Sequence, residues 1–169
     1  MINLKSFIKN FGILEFLVIS SIIYVVSMLI WTASTRASVE AKANSIKQNY
    51  STIVTVLNNE INKCSQNPES FTIWNESCDA EWASKRVVEY FIKNIKLNNP
   101  YNNKMQLIQS VTDPRMQAEG KAGQSTNKGI IFVSSSNLSS EPGSEWIIGT
   151  CVKSPCVAAG NNELVSIYR

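Results

Sequence analysis

Five residues have types and positions that could do chemistry: Cys64, Cys78, Cys151 and Cys156, and a single carboxylate, Glu15, inside an otherwise apolar run. An even number of cysteines in an oxidising compartment implies two disulfides. Three pairings are open. The local one, Cys64–Cys78 with Cys151–Cys156, closes the shortest loops. A four-cysteine zinc site is the competing chemistry, but the interval from Cys64 to Cys78 is wide for a metal knuckle and an oxidising compartment disfavours free thiolates. The chain contains no histidine, which removes Ser-His-Asp and Cys-His catalysis and every histidine-containing metal centre. No nucleophile motif, glycine-rich phosphate loop or paired-carboxylate signature is present, so neither an enzyme nor a cofactor or metal is expected. The formal net charge of +3 is too small to argue for nucleic acid. Lys121, Lys128, Lys153 and Arg169 are the residues that would make a basic tip for DNA, although loop lysines are more often only solubilising.

The elements that must position these residues begin with the apolar run. Phe11 to Trp31 is 21 consecutive residues with one charge, Glu15. As a helix the run is ~32 Å long, which matches a hydrocarbon core of ~30 Å. The mean hydropathy of -0.07 is therefore the average of a membrane segment and a polar remainder. Lys5 and Lys9 precede the run without an acid, which places the N-terminus in the cytoplasm. All four cysteines then lie across the membrane. An ionisable group at the centre of a membrane helix costs ~2.5–3.5 kcal/mol, and less near an interface, so Glu15 either sits at headgroup level or has a partner.

Helical periodicity continues past the membrane run. Apolar residues recur at Val39, Ala43, Ile46, Tyr50, Ile53, Leu57 and Ile61, in steps of three and four, with Glu40, Lys42, Lys47, Gln48, Asn58 and Asn59 on the other face; this is an amphipathic helix with one buried stripe. Pro68 is the first proline, so a single helix from Phe11 to Asn62 is expected, ~78 Å long. A second helix is expected over about Asp79–Leu97, capped by Asp79 or Ser77 and burying Trp82, Val87, Tyr90, Phe91 and Ile95. Short strands are expected at Met105–Val111, Ile130–Ser134, Trp146–Val152 and Leu164–Tyr168, with Thr112–Lys128 as an exposed loop. The predicted fold class is α+β: one long N-terminal helix, half membrane and half amphipathic, on a small antiparallel sheet of about four strands, with a short extra helix. The expected division is residues 1–10, 11–37 and 38–169.

The order Lys5, Lys9, Asn10-Phe11-Gly12-Ile13-Leu14-Glu15 and then an apolar run resembles the amino terminus of type IV pilins and type II secretion pseudopilins. In that family a short basic leader is cut before a phenylalanine and glutamate is the fifth mature residue. The resemblance is motif-specific over roughly residues 1–35 and architectural beyond. It implies cleavage between Asn10 and Phe11 by prepilin peptidase, with N-methylation there, and residues 1–10 as the leader. Asn10 stands where the family has glycine, Gly12 lies two positions late, and the proline common in the membrane helix is absent. Phe11 and Glu15 would be the subunit-assembly residues, Glu15 neutralising the α-amino group of a neighbouring copy. The implied function is a structural subunit, a major or minor pilin of a type IV pilus-like filament for attachment, motility or DNA uptake. A pseudopilin, or a membrane-anchored binding module that never polymerises, is the alternative. Implied partners are further copies or mixed pilins, the inner membrane and the pilus assembly platform. The chain would be single-pass in the inner membrane, its head periplasmic and later at the cell surface. A loop closed by cysteines near the carboxyl end fits the pilin side; with no acid in Lys153–Asn162, the calcium site of major pseudopilins is not expected.

Overall fold

The computed structural model describes residues 12–95, 97–118, 128–136 and 145–168. Helix α1, Ile13–Gln66, is 54 residues long and free of internal proline and glycine, the two residues that most disfavour a helix interior. Helix α2 is Ser84–Asn94. Strand β1, Ile108–Ser110, is followed by a short helix α3, Pro114–Ala118, and then by β2, Ile131–Ser136, β3, Glu145–Cys151, and β4, Asn162–Tyr168. Contacts divide the chain at Glu40 into two units, residues 1–40 and 41–169.

The first unit contains the apolar part of α1. Every described residue from Gly12 to Glu40 is exposed within the chain, and α1 is long and apolar enough to cross a membrane. Its large side chains include Ile13 at 83%, Tyr24 at 70% and Trp31 at 73% exposure. Such a surface is unfavourable in water by roughly 25 cal/mol per Å²; it suits an apolar surrounding.

The second unit has a core of its own. The α1 stripe Ala43, Ile46, Ile53, Leu57 and Ile61 is buried with Val87, Val88 and Phe91 of α2 and Ile131, Val133, Trp146 and Ile148 of the sheet. The stripe follows the three-and-four spacing, with Tyr50 packed at its margin and Val39 exposed. Alternation is absent from β3, where Trp146 to Cys151 are all buried, as expected for a strand covered on both faces. α1 and α2 cover one face and α3 the other. Gly149 lets α3 approach: a Cβ there would stand 2.9 Å from Ala118 Cβ and 3.1 Å from the Pro114 carbonyl oxygen.

The sheet order is β1-β2-β3-β4. β2–β3 and β3–β4 are antiparallel, but β1 runs parallel to β2, with Ile108 opposite Ile131 and Ser110 opposite Val133. The sheet is therefore mixed, not antiparallel. A parallel neighbour needs a crossover of a dozen or more residues, and the stretch between β1 and β2, read as a plain exposed loop, contains α3 and supplies that crossover. α2 also starts later than Asp79. Its N-cap is Ala83, with no side-chain cap, because Ser77 and Asp79 are engaged elsewhere: the Ser77 hydroxyl donates to the Asp79 carboxylate, and Trp82 Nε1 donates to the Ser77 carbonyl at 3.0 Å. These bonds, with the Cys78 disulfide, hold 77–80 in a turn and leave 81–83 outside the helix. At the other end Ile95 leaves helical geometry, two residues short of Leu97.

Gly149→Val should displace α3 from the sheet and lower stability by about 1–3 kcal/mol, the usual cost of overpacking. Chemical denaturation of the full chain in detergent, followed by tryptophan fluorescence, measures it; an unchanged midpoint would show that α3 is not seated there.

Candidate functional site

Asn10 and Phe11, the expected cleavage pair, lie outside the described residues. Glu15 is in the first turn of α1. Ile13 is the first helical residue, which makes Gly12 the N-cap and Glu15 the third position. There the carboxylate Oε2 accepts the Gly12 backbone N–H at 2.6 Å, half of a capping box. A carboxylate in this position also faces the positive end of the helix dipole. Glu15 is thus held close to the chain's own helix start, in reach of any amine placed at that end. Further along, the Ser20 and Ser21 hydroxyls bond back to the carbonyls of Leu17 and Val18 at 3.0 and 2.7 Å. Their polarity is satisfied inside the helix, leaving small side chains that permit close helix approach.

All four cysteines are bonded: Cys64 to Cys78 with Cα atoms 5.0 Å apart, and Cys151 to Cys156 with Cα atoms 5.3 Å apart. This is the local pairing, and it leaves no thiolate for zinc among the four. The first disulfide ties the last turn of α1 to a compact loop. Inside that loop Thr72 closes a small turn, its Oγ1 donating to the Glu76 carbonyl and accepting the Glu76 N–H, both at 3.0 Å. Asn75 occupies the left-handed region at φ 63°, which asparagine tolerates better than most residues.

Glu60 was not among the residues singled out by sequence. It lies on α1 beside the stripe and is 7% exposed. Its Oε2 accepts the Ile73 N–H at 3.0 Å and meets Lys63 Nζ at 3.4 Å, and Lys63 Nζ donates to the Phe71 carbonyl at 2.7 Å. The pair therefore pins the loop to α1 independently of the disulfide. The i, i+3 spacing was the only available signal, and it also occurs in solvated helix pairs.

The sheet is fastened to α1 by two further contacts. Tyr50 Oη donates to the Ile148 carbonyl at 3.2 Å, and Lys47 Nζ pairs with Glu163 Oε1 at 2.9 Å. Burial, and secondarily the Glu163 carboxylate, pushes the Tyr50 phenol far above its ordinary value. At the carboxyl end, the Cys151–Cys156 loop is braced by asparagines: Asn161 Nδ2 donates to the Pro155 carbonyl at 2.9 Å and Asn162 Nδ2 to the Cys156 carbonyl at 2.6 Å. Buried Asn99 organises the approach to β1. Its Oδ1 accepts the Tyr101 N–H at 2.9 Å and its Nδ2 donates to the Lys128 carbonyl at 3.2 Å, beside Gly129 at φ 77°. Of the four basic residues considered for DNA, Lys121 and Arg169 lie outside the described residues. Lys128 Nζ sits 5.5 Å from the centre of the Tyr101 ring, a cation–π contact.

Replacing Glu60 by leucine should cost about 1–3 kcal/mol, because it strands the Ile73 N–H; Asn62→Ala on the exposed face should stay within about 0.5 kcal/mol. Denaturant midpoints of the two variants make the comparison, and equal midpoints would contradict it. For Tyr50, the unfolded phenol ionises near ~10 while the folded one stays protonated. The unfolded state then binds fewer protons, so stability present below that pH is lost as pH rises above it. While the chain remains folded, Tyr50→Phe should leave the tyrosinate absorbance gained between about pH 9 and 11 unchanged; a smaller gain in the variant would show that Tyr50 titrates normally. No family model, curated protein or solved structure matches the chain.

Proposed function

We propose that the chain is a structural subunit, a major or minor pilin, of a type IV pilus-like filament serving attachment, motility or DNA uptake. The observation that carries this reading is the combination, within residues 13–31 of α1, of an apolar surface exposed on every side with one carboxylate, Glu15, held at its very start. Lipid and a bundle of like helices are interchangeable surroundings for such a surface. A helix withdrawn from the bilayer into a bundle exchanges one apolar contact for another, and packing decides the balance. The carboxylate then selects register. An amine freed by cleavage before Phe11 on a neighbouring copy would neutralise it, and any other register would leave a charge unpaired in a dry core. Prepilin peptidase and an assembly platform in the inner membrane are the partners this reading requires. In it the chain is no enzyme and needs no cofactor.

The Glu15–Gly12 bond favours a second reading as well. Within a single copy the carboxylate already has a donor, so an anchored periplasmic binding module, or a pseudopilin in a short secretion filament, uses the same residue merely to start its helix.

Glu15→Ala separates these readings in cells carrying the cognate assembly machinery. The pilin reading expects the variant in the membrane fraction at parental levels, with filament in the sheared surface fraction falling about a hundredfold or more, the scale of the ~3–5 kcal/mol lost when one partner of a buried charge pair is removed. Parental filament yield from the variant, or no filament from the parent itself, would overturn it.

A further inference from the structure

The loop closed by Cys64–Cys78 displays an aromatic side chain that its own fold does not use. Thr72 and Trp74 turn inward and are buried, whereas Phe71 is 60% exposed. Its backbone is nonetheless held firmly: Lys63 Nζ donates to its carbonyl, it bridges to Ser77, and the disulfide closes the loop beneath it. A ring fixed in water by restraints on its backbone has little freedom left to lose on binding. Its setting is acidic: residues 65–81 contain Glu69, Glu76, Asp79 and Glu81 and no base. Arg86 pairs with Glu76 at 3.4 Å and Lys63 with Glu60, but Glu69 and Glu81 carry no ion pair among the described residues.

A recess of matching character lies elsewhere in the same unit. Between the last turns of α2 and the segment entering β1 is a groove of ≈ 330 Å³, more than one aromatic side chain needs, with Phe91, Ile95, Leu97, Met105 and Leu107 in its lining and Ile92, 45% exposed, at its lip. Its setting is basic. Among the described residues of 84–97, Lys85 and Lys93 stand against Glu89, while Arg86 is taken by Glu76 of the loop at 3.4 Å. Lys85 and Lys93 are in no ion pair among the described residues, nor is Glu69 on the acidic loop. Opposite charge around plug and recess steers the one toward the other.

Within one copy the loop reaches α2 at Arg86 and Tyr90, but Phe71 itself stays out of the groove, 60% exposed. Phe71 is tied to α1 at Lys63, and the groove's Asn98 lip is tied to α1 at Asn49, whose Nδ2 donates to the Asn98 carbonyl at 3.4 Å. Fourteen residues of helix separate those anchors by ~21 Å. We infer that Phe71 of one copy seats in the Phe91–Leu107 groove of a second copy of this chain. The contact joins two different patches, so it is heterologous and can repeat, each step displaced along the α1 axis. This inference rests on the filament reading and specifies how neighbouring heads interlock within it.

The test places p-benzoylphenylalanine at position 71 of the full-length chain in cells with the assembly machinery, with irradiation followed by mass-spectrometric mapping of copy-to-copy adducts. The expected adducts fall within residues 91–107, and Ile92→Asp lowers their yield about tenfold with both disulfides still formed. Adducts mapping elsewhere on the second copy, a yield unmoved by Ile92→Asp, or no copy-to-copy adduct overturns the inference. Sheared filament is scored in the same cells. Filament with adducts elsewhere removes the plug and keeps the filament reading; adducts in the groove without filament do the reverse.

Discussion

The stripe Ala43, Ile46, Ile53, Leu57 and Ile61 on α1 is the surface against which the second unit closes. The sheet and α2 meet on it: Ile131, Val133 and Ile148 from the sheet and Val87 and Phe91 from α2 are in one cluster with that stripe. Tyr50 and Lys47 fix the sheet on the helix, while Glu60 and Lys63 fix the first disulfide loop. Both disulfides then act on segments that are already placed. Cys64–Cys78 covers the end of the stripe, and Cys151–Cys156 covers the turn leaving β3. Remove the stripe and each of these loses its support.

The same helix carries a second and different burden. Its first part, within residues 13–31, has apolar side chains on every face and no cover from its own chain. An amphipathic stripe needs one apolar partner, whereas an all-round apolar surface needs an apolar medium. One element therefore answers to two solvents, and the chain divides at Glu40 accordingly. Glu15 stands at the far limit of the apolar part, where a helix start offers unpaired N–H groups to a carboxylate. It can occupy that place because its charge is met locally by Gly12.

How much was legible in the sequence differs with the range of the interactions involved. The α1 stripe and the apolar run depend on spacing along one helix, and both could be read directly. The sequence left three cysteine pairings open and favoured the local one, which the structure has, because short loops close with the least entropy. β2, β3 and β4 lay within two residues of their expected limits, since their β-branched runs are bounded by turn residues. What failed was non-local. Met105–Val111 reads as a seven-residue strand, yet only Ile108–Ser110 pairs, and in parallel, because its direction is set by a crossover that has no periodic signal. α3 is five residues long and rests on the space left by Gly149, a property of the far side of the sheet. Glu60 and Asn99 look like ordinary surface residues until the loops they hold are in place, and the start of α2 at Ser84 was decided by bonds among Ser77, Asp79 and Trp82.

In the proposed filament the apolar half of α1 leaves lipid to become the core. Imaging the sheared surface fraction by electron cryomicroscopy, together with intact-mass measurement of its subunit, tests this most directly. The expected subunit begins at Phe11, with residues 13–31 bundled at the filament axis and Glu15 beside the terminal amine of a neighbouring copy. A chain absent from that fraction, and recovered from the membrane at full length with residues 1–10 attached, would contradict it.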